Sequence, residues 1–173
     1  FHHIEYEGKV DQEENIEIFF GLLKNIIHSL TMKNRENLEY FLTTEEINDL
    51  KKLARQEKLK VISFEEVLKT LYEITGNKKY QKFTLQHFGS WEEVKITQHY
   101  NGILGINEFP LLEVPFYHAL VDGKSPKVAN NLDVIWPGYR EIIGSGQRVR
   151  STNELEEKAK IFNLPRSDYA PYL

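Results

Sequence analysis

The sequence predicts an α+β domain, a mostly antiparallel sheet flanked by helices, and two observations carry that prediction. Helix-period patterns come first along the chain and β-branched or aromatic runs bounded by turn residues come late, without the regular strand–helix alternation of parallel α/β folds. The second observation is the Pro137-Gly138 pair. It lies between Val134, Ile135 and Trp136 on one side and Ile142 and Ile143 on the other, so Trp136 to Tyr139 should form a type I or II turn closing a hairpin.

Each element has its own local reason. Residues 1–7 alternate apolar and polar side chains, as a strand does, with Glu5 and Glu7 on one face. From Gln12 to Leu30, residues Ile16, Phe19, Phe20, Leu23, Ile26, Ile27 and Leu30 recur at helical spacing and predict a long amphipathic helix. Thr43 with Glu46 and Ser63 with Glu66 have capping-box spacing and open two further helices, the second ending near Gly76. Lys60 to Ile62 suits a short strand between them. Residues 33–82 are rich in Lys and Glu and suggest a helical insertion or peripheral unit. Trp91 to Tyr100 reads as a short helix, and prolines 110 and 115 make the following apolar stretch an edge or interrupted strand. Ser151 with Glu154 caps a last amphipathic helix. One sheet should collect residues 1–7, 115–120, 128–136 and 140–149.

Composition narrows the function classes. The chain has 173 residues, 40% hydrophobic and 28% charged, which suits a folded domain with a real core. There is no long apolar run and no signal-like start, so neither a membrane span nor secretion is expected. Cysteine is absent, which excludes disulfides and thiolate metal sites and agrees with a cytoplasmic setting. A net charge of -4 offers no electrostatic footprint for a nucleic acid. Both ends suggest cuts through a larger domain.

Asp133 and Glu141, eight residues apart across the predicted turn, are the first candidates for chemistry. Like charges opposite or diagonal in a hairpin destabilise it unless a cation lies between them. A hard cation such as Mg²⁺, carrying a nucleotide phosphate, would resolve that conflict. Arg148 follows the segment Gly144-Ser145-Gly146, where glycines admit a ligand close to the backbone. Simple alternation would turn Arg148 away from Glu141, and a β-bulge at 144–146 would return them to one side. A buried arginine fork there suits a carboxylate or carboxamide. The histidines match no metal-ligand spacing, and no P-loop, Rossmann glycine pattern or nucleophile elbow occurs.

The string DGK…VA…D…PG..EIIG..QR, from Asp122 to Arg148, resembles the catalytic domain of class II asparaginyl- and aspartyl-tRNA synthetases, including the related archaeal-type asparagine synthetases. FHHIEYE is similar to the second half of that family's motif 2, and PFYHALVDG and DYAPYL also fit. The resemblance covers residues 1–30 and 108–173. It implies a class II synthetase-like fold, incomplete at both ends, that uses ATP and Mg²⁺ to activate asparagine or aspartate as an acyl-adenylate. It also implies a homodimer in the complete protein, with tRNA as the acceptor in the asparaginyl branch. Ammonia-dependent asparagine synthesis and a non-catalytic paralogue that binds an amino acid or a partner protein are the alternatives. Carried over by position, Asp133 and Glu141 handle Mg²⁺-ATP, Arg148 reads the amino-acid side chain, Ser145 and Gly146 line its pocket, and Glu5 lies near the amino acid. Two departures stand out. Gly144-Ser145-Gly146 replaces the family's Gly-Gly-Ser, and Tyr139-Arg140 replaces a Val-Gly or Tyr-Gly pair beside the glutamate.

Overall fold

In the computed structural model, which describes residues 3–170, the backbone divides between Leu59 and Lys60 into two units. In the first, Asp11 opens helix α1 (Gln12–Lys33) with a reciprocal cap, accepting the Glu14 N–H at 2.9 Å while Glu14 accepts its own N–H at 3.0 Å. A single turn, α2 (Arg35–Leu38), leads on to α3 (Thr44–Ala54), which packs on α1. The Thr43–Glu46 box forms as its spacing predicts: Thr43 donates its N–H to Glu46 at 2.7 Å and receives the Glu46 N–H at 3.3 Å.

Of the strand expected at residues 1–7, the described part does not form. Residues 1 and 2 lie outside the described residues, and 3–7 have no regular structure. Ile4 and Tyr6 are 73% and 56% exposed, so the alternation there has no apolar surface to bury against.

The second unit holds the sheet. It begins with β1 (Lys60–Ser63), passes directly into α4 (Phe64–Thr75), and reaches β2 (Leu104–Asn107) through two 3₁₀ turns and α5 (Ser90–Tyr100). The hairpin β3 (Asn131–Ile135) and β4 (Glu141–Gly146) follows, then α6 (Thr152–Ile161) and the short α7 (Arg166–Tyr169). The strands lie in the order β1-β2-β3-β4; β1 and β2 are parallel, and the other two pairings are antiparallel. The fold is therefore α+β with a mostly antiparallel sheet, as predicted. Its strand membership differs, with β1 and β2 present where residues 1–7 were expected. Residues 33–82 contribute to both units, α3 to the first and β1 and α4 to the second.

Residues 110–120 form no strand of the sheet and pair through isolated bridges with the segments flanking β3 and β4, Pro110 with Val128, His118 with Arg148 and Leu120 with Ala129. That matches a stretch whose prolines deny it a continuous ladder. No described helix is long and apolar enough to cross a membrane.

The core lies between α4, α5 and the sheet. Ser63 caps α4 by accepting the Glu66 N–H at 3.2 Å, and Gly76 ends it at φ +66°. The next residue after that cap, Phe64, is fully buried. Its ring stacks on Phe109 at 4.9 Å and meets Phe83 and Phe88 edge-on at 5.7 and 5.3 Å. Around it pack Val67, Leu71, Ile96, Leu104 and Ile106. Such a ring cluster contributes its burial and its edge-to-face contacts together. Phe64→Ala should therefore lower the unfolding free energy of this unit by about 3–5 kcal/mol, and Ser63→Ala by about 1 kcal/mol, both read from urea denaturation.

Candidate active site

The hairpin turn is fixed twice. Trp136 C=O accepts the Tyr139 N–H at 3.0 Å, and Gly138 takes φ +70°, the conformation that the third residue of a type II turn requires. The Gly138 N–H is donated to Thr97 Oγ1 at 3.3 Å, which ties the turn to α5.

Beyond the turn the ladder slips by one residue. Val134 pairs with Ile143 but Ile135 pairs with Glu141, so Ile142 is the extra residue of a bulge. Glu141 and Gly144, three apart, would face opposite ways in a regular strand. The bulge returns Glu141 to the face of Asp133, whose partner is Gly144. A Cβ on Gly144 would lie 2.7 Å from Glu141 Oε1 and 3.9 Å from Asp133 Oδ1, so both carboxylates lean over the bare glycine. The predicted convergence of the two acids is present. The bulge that produces it lies at Ile142, before the glycines where it was expected.

Burial, then Glu141, then Glu93 push the Asp133 carboxyl up to about 8. Burial likewise raises Glu141, with the Arg140 cation opposing it. Glu93, from α5, is raised by burial and by repulsion from Glu141, against the pull of Arg140. Arg140 Nε stands 3.9 Å from Glu93 Oε2. The half-buried Asp133 carboxylate and the more exposed Glu141 carboxylate, sharing one face, form a donor set for a hard cation. Among the described residues no group of three or more acids, histidines or cysteines forms a closed metal cage. A sparse set of this kind suits Mg²⁺, which takes one or two carboxylates and fills its remaining positions with water and substrate phosphate.

Farther along β4 the small residues divide. Ser145 turns to the other face, where its Oγ donates to Leu132 C=O at 3.0 Å. Gly146 returns to the face of Gly144, and a Cβ there would collide with the His118 imidazole. His118 bridges to Arg148, whose guanidinium lies 4.5 Å over the Tyr117 ring. Arg148 is exposed, where the sequence suggested a buried fork, because it lies two residues beyond the end of β4. Glu5 belongs to the first unit, is exposed, and stands 3.8 Å from His3.

Two residues of this region escape sequence reasoning. Glu93 follows Glu92 on a helix where both read as solvated acids. In the structure Glu92 is buried, which pushes its carboxyl up. Bonds from Tyr80 at 2.7 Å and Lys79 at 3.0 Å outweigh that and leave it below its ordinary value. The second is His118, nine-tenths buried, with an Nδ1 that has no hydrogen-bond partner among the described residues. Burial, with Arg148 and Lys158 nearby, lowers it to about 4, and Lys158 Nζ donates to its backbone carbonyl. The only sequence signal was its place within PFYHAL.

In fold the chain is similar to class II asparaginyl- and aspartyl-tRNA synthetases, and in sequence to asparagine–tRNA ligases. That of Thermoplasma acidophilum is 29% identical over 165 residues, 95% of this chain and 36% of that protein. That of Ureaplasma parvum serovar 3 is 25% identical over 171 residues, 95% of this chain and 37% of that protein. The asparaginyl-tRNA synthetase of Pyrococcus horikoshii superposes with a TM-score of 0.78 at 22% identity, over 94% of this chain and 37% of that one. An Entamoeba histolytica asparaginyl-tRNA synthetase in complex with asparaginyl-adenylate gives 0.72 at 18% identity, over 93% of this chain and 35% of that one. At those identities the structures establish the fold alone. No protein-family model matches the chain. The chain spans little more than a third of the length of these curated relatives.

The raised Asp133 carboxyl sets a pH dependence. A folded value of about 8 against 3.8 means that the native state binds more protons than the unfolded chain between those limits. Its contribution to stability therefore falls as pH rises through that window. In the absence of divalent cations, Asp133→Asn should be more stable than the parent at pH 8 by roughly 1–3 kcal/mol. The difference should shrink towards pH 4. Thermal melts across that range would measure it, and a constant difference would contradict the assignment.

Proposed function

We propose that this chain carries the ATP- and amino-acid-handling part of a cytoplasmic asparaginyl-tRNA synthetase-like ligase. The observation that carries the reading is the convergence of Asp133 and Glu141 over Gly144. The names of the curated relatives support asparagine as the amino acid and tRNA, in place of ammonia, as the acceptor. The asparaginyl-adenylate held by the Entamoeba histolytica enzyme supports the intermediate.

In this reading a carboxylate oxygen of asparagine attacks the α-phosphorus of ATP. A new oxygen–phosphorus bond forms to the adenylate and pyrophosphate leaves. Asp133 and Glu141 would hold Mg²⁺, which when bound neutralises charge on the phosphate oxygens. Arg148 offers a planar fork to the side-chain carboxamide. Gly146, whose missing side chain admits the His118 imidazole, and Ser145, which fixes the strand by its bond to Leu132, shape the amino-acid side. Glu5 serves the amino-acid side in the complete protein, which we take to be a homodimer. The chain's charge of -4 leaves most tRNA phosphate contacts to other parts of that protein.

The test is asparagine-dependent exchange of pyrophosphate into ATP by the whole protein. Arg148→Leu should reduce kcat/KM for asparagine about 100-fold or more and erase its advantage over alanine, and Arg148→Lys should not restore it. Glu141→Gln should raise the Mg²⁺ concentration needed for ATP binding while leaving asparagine affinity largely unchanged. Calorimetry that detects neither asparagine nor aspartate binding, with or without ATP, would sink the reading.

A further inference from the structure

Arg140 lies immediately before Glu141, beside the two carboxylates proposed to hold Mg²⁺. A guanidinium is always charged, so here it competes with a metal cation for the same oxygens. Its other neighbour is Glu93. On α5, Glu93 and Thr97 lie one turn apart on a common face, and that face meets the hairpin turn. Thr97 takes the Gly138 N–H at 3.3 Å, and Glu93 Oε2 stands 3.9 Å from Arg140 Nε.

The two partners differ in freedom. The Glu93 side chain is 12% exposed and that of Arg140 62%, so a fixed carboxylate faces a long cationic arm at the surface. Glu93 Oε2 is buried and has no hydrogen-bond partner among the described residues. An uncompensated buried carboxylate oxygen is costly, and the Arg140 charge offsets that cost. Of the two consecutive acids on α5, Glu92 is consumed by Tyr80, Lys79 and the Gly89 N–H. Glu93 is left to the hairpin.

We propose that Glu93 is a positioning residue that holds the Arg140 guanidinium against α5 and so keeps it from competing with Mg²⁺ for Glu141. This rests on the reading of Asp133 and Glu141 as the residues that hold the cation. Without the Glu93 charge, the guanidinium transfers to Glu141, one residue away, and a metal ion must displace it. The departure from glycine at position 140 thus has its counterweight in a helix about 45 residues earlier in the chain.

The test is calorimetric binding of a non-hydrolysable ATP analogue to the whole protein across a Mg²⁺ titration. Glu93→Gln should raise the half-saturating Mg²⁺ concentration roughly fivefold, the scale of one partly screened ion pair. Asparagine affinity measured without nucleotide should stay unchanged. The double variant Glu93→Gln/Arg140→Gln should return within about twofold of the parent, because the competitor has gone with its restraint. Glu93→Asp keeps the charge and shortens the reach, so it should give a smaller rise, and it serves if the glutamine variant folds poorly.

A single variant with unchanged Mg²⁺ dependence overturns the proposal. So does a double variant that fails to recover, since Glu93 would then act on the cation or the fold directly. If the parent binds the analogue without any dependence on Mg²⁺, the underlying assignment of Asp133 and Glu141 falls, and this inference falls with it.

Discussion

Asp133 and Glu141 repel each other and are partly withdrawn from water, and every nearby element of the second unit acts to hold them together nonetheless. The bulge at Ile142 sets the face, the type II turn sets the strand spacing, and Thr97 anchors the turn to α5. On the same strand as Asp133, the side chains of Leu132, Val134 and Ile135 are buried almost completely. At about 1.5–3 kcal/mol for each such side chain, their burial outweighs a like-charge contact and fixes the strand whether or not a cation is present. The site is thus preorganised by hydrophobic register, and its electrostatic strain remains available to a ligand.

The same arrangement explains the parallel pairing at the far side of the sheet. β1 passes into α4 without a loop, because Ser63 is both the last strand residue and the helix cap. The Phe64 ring then enters the core against Phe109, just beyond β2. The chain needs the stretch from α4 through α5 to return in the same direction, and that crossover brings Glu93 and Thr97 to the hairpin.

What was legible in the sequence is what local chemistry dictates. Thr43 with Glu46 and Ser151 with Glu154 opened helices at the predicted residues, and Pro137-Gly138 gave the turn. The two acids were legible as a pair because a hairpin converts sequence separation into distance. β2 was not, since Leu-Gly-Ile-Asn is four residues long, mostly buried on both faces, and shows no period. Residues 3–7 failed in the opposite way, with a clean alternation and no surface to meet it. The bulge was predicted in kind but misplaced, because glycine marks where a bulge is easy and ladder registry decides where it occurs. Glu93 and His118 reach the site only through tertiary packing, about which residues on either side of them carry no information.

Gly144 has a backbone conformation that any residue can adopt, and the atom that would oppose a larger side chain is the flexible end of Glu141. A methyl group there would displace one carboxylate oxygen and leave the ladder intact. Position 144 therefore separates two kinds of constraint that usually coincide in a strand, tolerance of the fold and tolerance of the chemistry. Drift at this residue would pass unnoticed by any selection for a folded protein and be seen only by selection on cation handling. A compensating change at Glu141 would make the two positions covary, although neither needs the other to fold.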